Sequence, residues 1–298
     1  MKLTNRLGLP EAFVRAVQND PYTNHGTLSV TRLIRPPQMV RLEEKHWEDL
    51  EEDAADRVWT ILGQAGHSVL ERSQQDGDVV EQRLYMKVDG TKISGQLDRL
   101  TKDGVLVDWK FTSVWAVSDC LKNGIKPEWE QQLNMLSALV RAGYQQNVSS
   151  LHTPPIYENA GRLPEPKALR IVAVCRDWRP FEAKKTDDYP HKVEVLKASL
   201  WPHEKAMEFI RERVRLHLME NPIPCTDEER WAKPEKWAVM GPKRALRLLP
   251  TEKDAIEWAH DEGIDKPKIE RRPATYTRCE GYCSVAKFCP QYETSNAT

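Results

Sequence analysis

Two short turns bring acids that are distant in the chain onto one side of a sheet. Asp89-Gly90 suits a two-residue type I′ turn, whose central residues need positive φ, and it pairs Val88 with Thr91 and so Glu81 with Asp98. Lys102-Asp103-Gly104 suits a three-residue loop with Gly in the left-handed position, which pairs Thr101 with Val105 and so Asp98 with Asp108. Side chains alternate along strands. Leu84, Met86, Val88, Ile93, Leu97, Val105, Val107, Trp109 and Phe111 then form an apolar core face, and Glu81, Arg83, Gln96, Asp98, Asp108 and Lys110 the opposite one. Directly opposed carboxylates repel. Neighbouring acids with a lysine two residues along make physical sense when a cation sits between them. The plain alternative is a solvated polar face, common on antiparallel sheets. Two features weigh against it: Val105-Leu106-Val107 runs straight into Asp108-Trp109-Lys110, and His67 stands in the upstream helix.

The elements that must position these groups follow from the hydrophobic pattern. Leu42–Glu71 reads as helix, broken at most once, with Val58, Trp59, Leu62, Ala65, Val69 and Leu70 at helical spacing. Strands follow over Glu81–Leu100 and Val105–Phe111. A second helix, Glu128–Arg141, puts Trp129, Leu133, Leu136 and Val140 on one face. Ala168–Cys175 reads as a buried strand and Pro202–Glu220 as a charged helix. Residues 1–40 read as irregular, with a short extended stretch around Thr27–Ile34.

Gly95-Gln96-Leu97-Asp98, then Val107-Asp108-Trp109-Lys110, then Thr112-Ser113 resemble the PD-(D/E)XK nuclease signature. The details resemble its RecB-type exonuclease branch, which includes AddB, CRISPR-associated and phage exonucleases. That branch has a Gly-x-x-x-His setting on the preceding helix, matched by Gly63-Gln64-Ala65-Gly66-His67. It has a Gln-x-x-x-Tyr pattern on the following helix, matched by Gln132 but with Leu136 in place of the Tyr. The motifs cover under a third of the chain. The resemblance implies an α/β fold of restriction-endonuclease type, a mixed central sheet flanked by helices with a C-terminal Cys-cluster subdomain. The expected organisation is an N-terminal extended segment over 1–40, a nuclease core over 41–220 and a metal-bound subdomain over 221–298 packed on the core.

Phosphodiester hydrolysis needs a cation at the phosphate, an activated water and stabilisation of developing charge. Asp98 and Asp108 are hard oxygen ligands suited to Mg²⁺ or Mn²⁺. His67 adds an imidazole, which suits Mn²⁺ at least as well. The resemblance implies a further oxygen from the Trp109 carbonyl, Lys110 beside the attacking water or phosphate, and Gln132 orienting Lys110. Glu81 is a secondary ligand candidate. Glu71, one turn after His67, is a candidate to orient it.

Cys279-x₃-Cys283-x₅-Cys289-Pro290 reads as a metal-binding cluster, with Cys225 the preferred fourth ligand over Cys175 and Cys120. The RecB-type branch often carries a [4Fe–4S] cluster, with three Cys after the core and one before it. This chain has the three, but no Cys precedes Cys120, and its Cys279–Cys283 spacing is one residue longer than the usual Cys-x₂-Cys. These departures leave structural Zn²⁺ as the alternative.

Composition bounds the rest. The chain has 298 residues, 30% of them charged, and a formal net charge of −1, which excludes holding nucleic acid by bulk charge alone. Neither a membrane-length apolar run nor a secretory core is evident, so the reading is a cytoplasmic protein. No Gly-x₄-Gly-Lys-Ser/Thr loop appears, so there is no P-loop motor in the chain. The reading is a metal-dependent exonuclease on DNA ends or single strands, in recombination, repair or phage DNA processing, alone or beside a helicase or recombinase. Its alternatives are a catalytically silent DNA-binding or assembly protein of the same fold, and an iron–sulfur sensor.

Overall fold

A six-stranded mixed sheet lies at the centre of a computed structural model that describes residues 1–19, 28–149 and 163–296. In chain order, β1 (Lys2–Thr4), α1 (Glu11–Gln18), β2 (Leu28–Ser29) and α2 (Val30–Ile34) come first, followed by α3 (Pro37–Lys45) and β3 (Glu51–Asp53). Then come α4 (Val58–Glu71), β4 (Val79–Val88), β5 (Thr91–Leu100), β6 (Val105–Thr112), α5 (Val114–Asn123) and α6 (Pro127–Ser149). β7 (Ala168–Cys175), α7 (Pro180–Ala183), β8 (Val193–Ala198) and α8 (His203–Leu218) follow.

By internal contacts the chain divides into two compact units, one of Met1–Arg35 with Glu51–Glu220 and one of Pro36–Leu50 with Asn221–Thr298. The first holds the sheet, in the order β2-β5-β6-β7-β8 with β4 on the other edge of β5. Its core gathers Leu84, Ile93, Leu97, Leu106, Leu133 and Ile171 with their neighbours, all fully buried. The second unit has a small antiparallel sheet, Ala245–Leu249, Lys236–Met240 and Lys268–Arg272, packed on a helix over Glu252–Asp261 around buried Val239, Ala255 and Ala259. Among the described residues no helix is long and apolar enough to cross a membrane.

Both turns form as their residues require. Asp89 and Gly90 take φ of 47° and 81°, and β4 pairs with β5 from Val88↔Thr91 back to Val79↔Leu100, with the ladder interrupted at the left-handed Glu81, opposite Asp98. Gly104 takes φ of 87°, and the Thr101 N–H donates to the Val105 carbonyl at 3.0 Å. The second ladder stops early. β5 and β6 pair only at Leu100↔Leu106 and Arg99↔Val107, so the expected Asp98–Asp108 pair is not reached. Beyond that point β5 pairs with β2, at Ile93 and Ser94, while β6 runs parallel to β7 over its whole length. β6 is therefore an interior strand covered on both faces, and single-face alternation fails there. Leu106 and Asp108 are buried, whereas Val105, Trp109 and Phe111 are half-buried.

The helix read over Leu42–Glu71 has its one break from residue 46 to 57, where two 3₁₀ turns and β3, which pairs in parallel with β1, intervene. Asp53 fixes this break: one oxygen takes the Ala55 N–H at 3.0 Å, the other takes Thr4 Oγ1 and the Arg6 N–H at 2.8 Å each. The extended stretch expected around Thr27–Ile34 is strand only at Leu28–Ser29, because Ser29 Oγ caps α2 through the Arg32 N–H (Thr27 lies outside the described residues). Nor are residues 1–40 mainly extended, since they hold α1, α2 and the start of α3.

Candidate active site

The position of α4 is set by contact with β6. A Cβ on Gly66 would stand 2.0 Å from Cζ of Phe111, so only glycine lets the helix backbone rest on that ring. The next residue, His67, is thereby held over the sheet. Its Nδ1 lies 3.3 Å from Glu81 Oε1 and 3.5 Å from Asp98 Oδ1. One ligand atom from each of His67, Glu81 and Asp98 falls within 4.8 Å of the others, the spacing of a metal-binding trio.

Each acid of the trio is oriented from its other side. Glu81 sits at φ 48°, a left-handed conformation that costs a non-glycine residue roughly 1–2 kcal/mol. Its Oε2 accepts from Gln96 Nε2 at 2.7 Å, and Gln96 Oε1 accepts from Arg83 Nη2 at 3.0 Å. Asp98 Oδ2 accepts the Trp109 backbone N–H at 2.7 Å, across the gap where β5 and β6 part. A carboxylate thus stands where a ladder carbonyl would have been.

The charges are consistent with a site made for a cation. Burial, reinforced by the charge of Asp108, pushes Asp98 up to about 7, against the pull of His67 and the Trp109 N–H. The His67 imidazole is raised by its hydrogen bond to Glu81 and by the charge of Asp98. Burial works to raise Glu81, but His67 and Gln96 prevail and hold it below the ordinary carboxylate range. Asp98 and His67 are thus shifted toward their protonated forms, and a divalent ion in their midst would displace those protons.

A second group adjoins the first. Asp108 is 2% exposed and stands outside the trio. Lys110 Nζ lies 2.7 Å from Asp108 Oδ2 and donates to Gln132 Oε1 at 2.9 Å, while Gln132 Nε2 donates to Asp108 Oδ1 at 2.9 Å. The result is a closed triangle of acid, amine and amide, with the Gln supplied by α6. A cleft of about 170 Å³ joins the groups, bordered by Glu81, Asp98, Gln132, Arg83 and the hydroxyl residues Ser29 and Thr31.

The structure therefore brings His67, Glu81 and Asp98 together, with Asp108, Lys110 and Gln132 beside them. Glu81, read from the sequence as secondary, makes the more direct contact with His67. Glu71 is exposed at the end of α4, and His67 Nδ1 faces Glu81 instead, so Glu71 does not orient it. Gln96 and Arg83 were not singled out as site residues. Their signal was available, since both share the predicted polar face with Glu81 and Asp98.

The cysteines fall into two groups. Cys120 and Cys175 are buried in the core of the sheet unit. Cys225, Cys279, Cys283 and Cys289 line one pocket of the second unit, together with Gln38 of α3 and Gln291. The Cys225 N–H donates to Gln38 Oε1 at 2.9 Å and to Gln291 Oε1 at 3.0 Å. Gln38 Nε2 lies 3.7 Å from Cys289 Sγ. Burial, with the neighbouring acid Glu229 and the other thiols, pushes Cys225 up to about 12.

Comparison with protein-family models finds no match, and no curated protein matches the chain. Among solved structures, the crystal structure of SSO0001 is 17% identical, with a TM-score of 0.42, over 69% of this chain and 85% of that one. An alkaline exonuclease, LHK-Exo from Laribacter hongkongensis, is 15% identical, with a TM-score of 0.33, over 69% of this chain and 93% of that one. Both likenesses are slight.

Proposed function

We propose that this chain is a metal-dependent DNA exonuclease of the PD-(D/E)XK superfamily, RecB-type branch, with the restriction-endonuclease-like fold that implies. The observation that carries the reading is the convergence of His67, Glu81 and Asp98 within 4.8 Å, next to a lysine held by Asp108 and Gln132. A phosphodiester brings its own negative charge, so acids beside it are tolerable only with a cation between.

The donor set fits Mg²⁺ or Mn²⁺: carboxylate oxygens with one imidazole, and room in the adjoining cleft for waters. His67, Glu81 and Asp98 would hold the ion, with Asp108 and the Trp109 carbonyl as the further ligands the resemblance implies. When bound, the ion neutralises the phosphate and lowers the pKa of a coordinated water. The chain's own groups do the rest. Lys110 carries the fixed positive charge nearest the reacting phosphate and stabilises the oxygen on which charge develops. Gln132 keeps that amine in place, since its amide joins Lys110 to Asp108. Gln96 and the Trp109 N–H fix the outer oxygens of Glu81 and Asp98 and leave the inner ones to face the ion.

The same reading puts a [4Fe–4S] cluster on Cys225, Cys279, Cys283 and Cys289, with structural Zn²⁺ as the alternative. All four line one pocket of the second unit, which offers thiolates to either metal. Either metal would tie Cys225 to the C-terminal cluster of Cys279, Cys283 and Cys289. Lacking a P-loop motor, the enzyme would take free ends or strands opened by a helicase or recombinase.

A nuclease assay with Mg²⁺ or Mn²⁺ tests the proposal, using 5′- and 3′-labelled single and double strands. Hydrolysis by the native chain that disappears in Asp108→Ala and Lys110→Ala supports it. Activity surviving both changes removes it, and binding without turnover in either metal favours a silent DNA-binding protein.

A further inference from the structure

The one helix of the site with no buried residue is α4. Its apolar side chains recur at helical spacing, yet Val58 is 39%, Trp59 53%, Leu62 42% and Val69 59% exposed. Trp59 is nevertheless held in place, because the Arg176 guanidinium lies 4.0 Å from its ring centroid. Arg176 is anchored in turn at the end of β7, its N–H donating to the Thr112 carbonyl at the end of β6 at 2.9 Å. The next exposed aromatic, Trp115 at 72%, stands just beyond that strand end.

Trp59, Gly63 and His67 succeed one another at four-residue intervals, one helical turn each. At the middle position a Cβ would meet no atom within 4 Å, so Gly63 leaves bare helix backbone facing open space. From Trp59 to His67 the column rises eight residue steps, about 12 Å at the helical rise of 1.5 Å per residue. That is the length of a few stacked nucleotides. At one end stands an exposed indole braced by a cation, at the other the imidazole of the metal-binding trio, with a side-chain-free strip between them.

We infer that a single nucleic-acid strand lies along this column of α4, with a base stacked on Trp59, a phosphate facing Arg176 and the backbone passing Gly63 to reach His67. The inference rests on the nuclease reading above. Its chemistry is that of single-strand binding surfaces, where an aromatic face takes any base and an arginine answers the phosphate charge. A duplex has its bases already stacked and gains nothing from the indole. The column therefore favours unpaired ends as substrate.

Fluorescence anisotropy of a labelled oligothymidylate and of a labelled duplex of equal length, in EDTA so that no cleavage occurs, tests this with the full chain. Trp59→Ala is expected to weaken oligothymidylate binding roughly tenfold. Trp59→Phe should retain most of the affinity, and Gly63→Leu should weaken it as Trp59→Ala does. Duplex binding should be unchanged in all three. Melting temperatures should match the native chain for the Trp59 variants, since the residue is exposed. Native affinity in both Trp59→Ala and Gly63→Leu overturns the inference and leaves the nuclease reading intact. Equal losses on strand and duplex overturn the single-strand preference. A change of oligomeric state with unchanged oligonucleotide affinity makes the face a protein contact instead. A native chain that binds neither nucleic acid overturns the inference together with the reading beneath it.

Discussion

Asp98 accepts the backbone N–H of Trp109 at 2.7 Å, at the point where two strands joined by a tight turn have ceased to pair. The bond closes a gap in the ladder and also fixes a half-buried carboxylate beside His67 and Asp108. A structural necessity, satisfying the orphan amide of an interior strand, thereby places an acid in the candidate metal trio. Replacing Asp98 by Ala should cost twice: the amide loses its partner and the trio loses a ligand.

The pH dependence of stability follows from Asp98. Its pKa rises from 3.8 to about 7 on folding. A group raised in this way contributes stability that is fully present below its unfolded value and lost as pH rises through its folded value. His67, also raised, acts in the same direction. The metal-free chain should therefore lose melting temperature between about pH 4 and pH 7, and Asp98→Asn should flatten that slope. Mn²⁺ should restore the loss, more strongly at pH 8 than at pH 5. A slope identical in the native chain and Asp98→Asn would show that Asp98 does not titrate there.

Lys110 and the trio should be separable. Lys110→Ala should lower kcat roughly 10²- to 10³-fold, the effect of removing one stabiliser of developing charge. Mn²⁺ affinity should stay within a few-fold of native, because Lys110 contacts Asp108 and Gln132 and not the trio. Parallel single-turnover and Mn²⁺-binding measurements check the split, and equal losses in both would assign Lys110 to the metal site.

Gln96 should matter more than its position suggests. Gln96→Leu removes the bond that holds Glu81 Oε2 and leaves that acid free to turn from the ion. Loss of such an outer partner typically costs 10- to 100-fold in metal affinity. Isothermal titration with Mn²⁺ reads the effect, and native affinity in the variant would make the Arg83–Gln96–Glu81 chain merely structural.

Two glycines of α4 should respond in opposite ways. Gly66→Ala puts a methyl group into the Phe111 ring and should destabilise by about 1–3 kcal/mol, carrying His67 away from the acids. Gly63→Ala meets no atom within 4 Å and should gain up to about 1 kcal/mol from helix propensity. Urea unfolding of the two variants measures both signs, and destabilisation of equal size in both would mean that contact with Phe111 is not what sets the helix.

The cysteine pocket yields the simplest chemical test. Anaerobically purified chain should contain about four irons and show a broad visible absorption, both lost in Cys225→Ser. One zinc per chain without colour would establish the alternative.

Much of this was legible in the residues themselves. Asp-Gly at 89–90 and Gly104 need positive φ and obtain it, so the first hairpin and its register could be read directly. The buried stripe Leu133, Leu136 and Val140 likewise fixed the face of α6 and so the position of Gln132. What could not be read came from tertiary competition. Ile93 and Ser94 have an alternative partner in β2, and β6 pairs along its full length with β7, so the β5–β6 ladder ends after Arg99. That early end gives Asp98 a backbone amide as partner where the turn geometry alone gives it Asp108. The left-handed Glu81 and the exposure of Trp59 were hidden for a related reason. Periodicity reports which residues share a face, but not what that face meets.

The central claim is that His67, Glu81 and Asp98 grip one divalent ion. Titration of the native chain and of Asp98→Asn with Mn²⁺, followed by the electron paramagnetic resonance of the free ion, tests it most directly. The expected result is one tightly held Mn²⁺ per native chain, with affinity weakened at least roughly 100-fold in the variant. A native chain that leaves all the Mn²⁺ free, or a variant that holds it equally well, contradicts the claim.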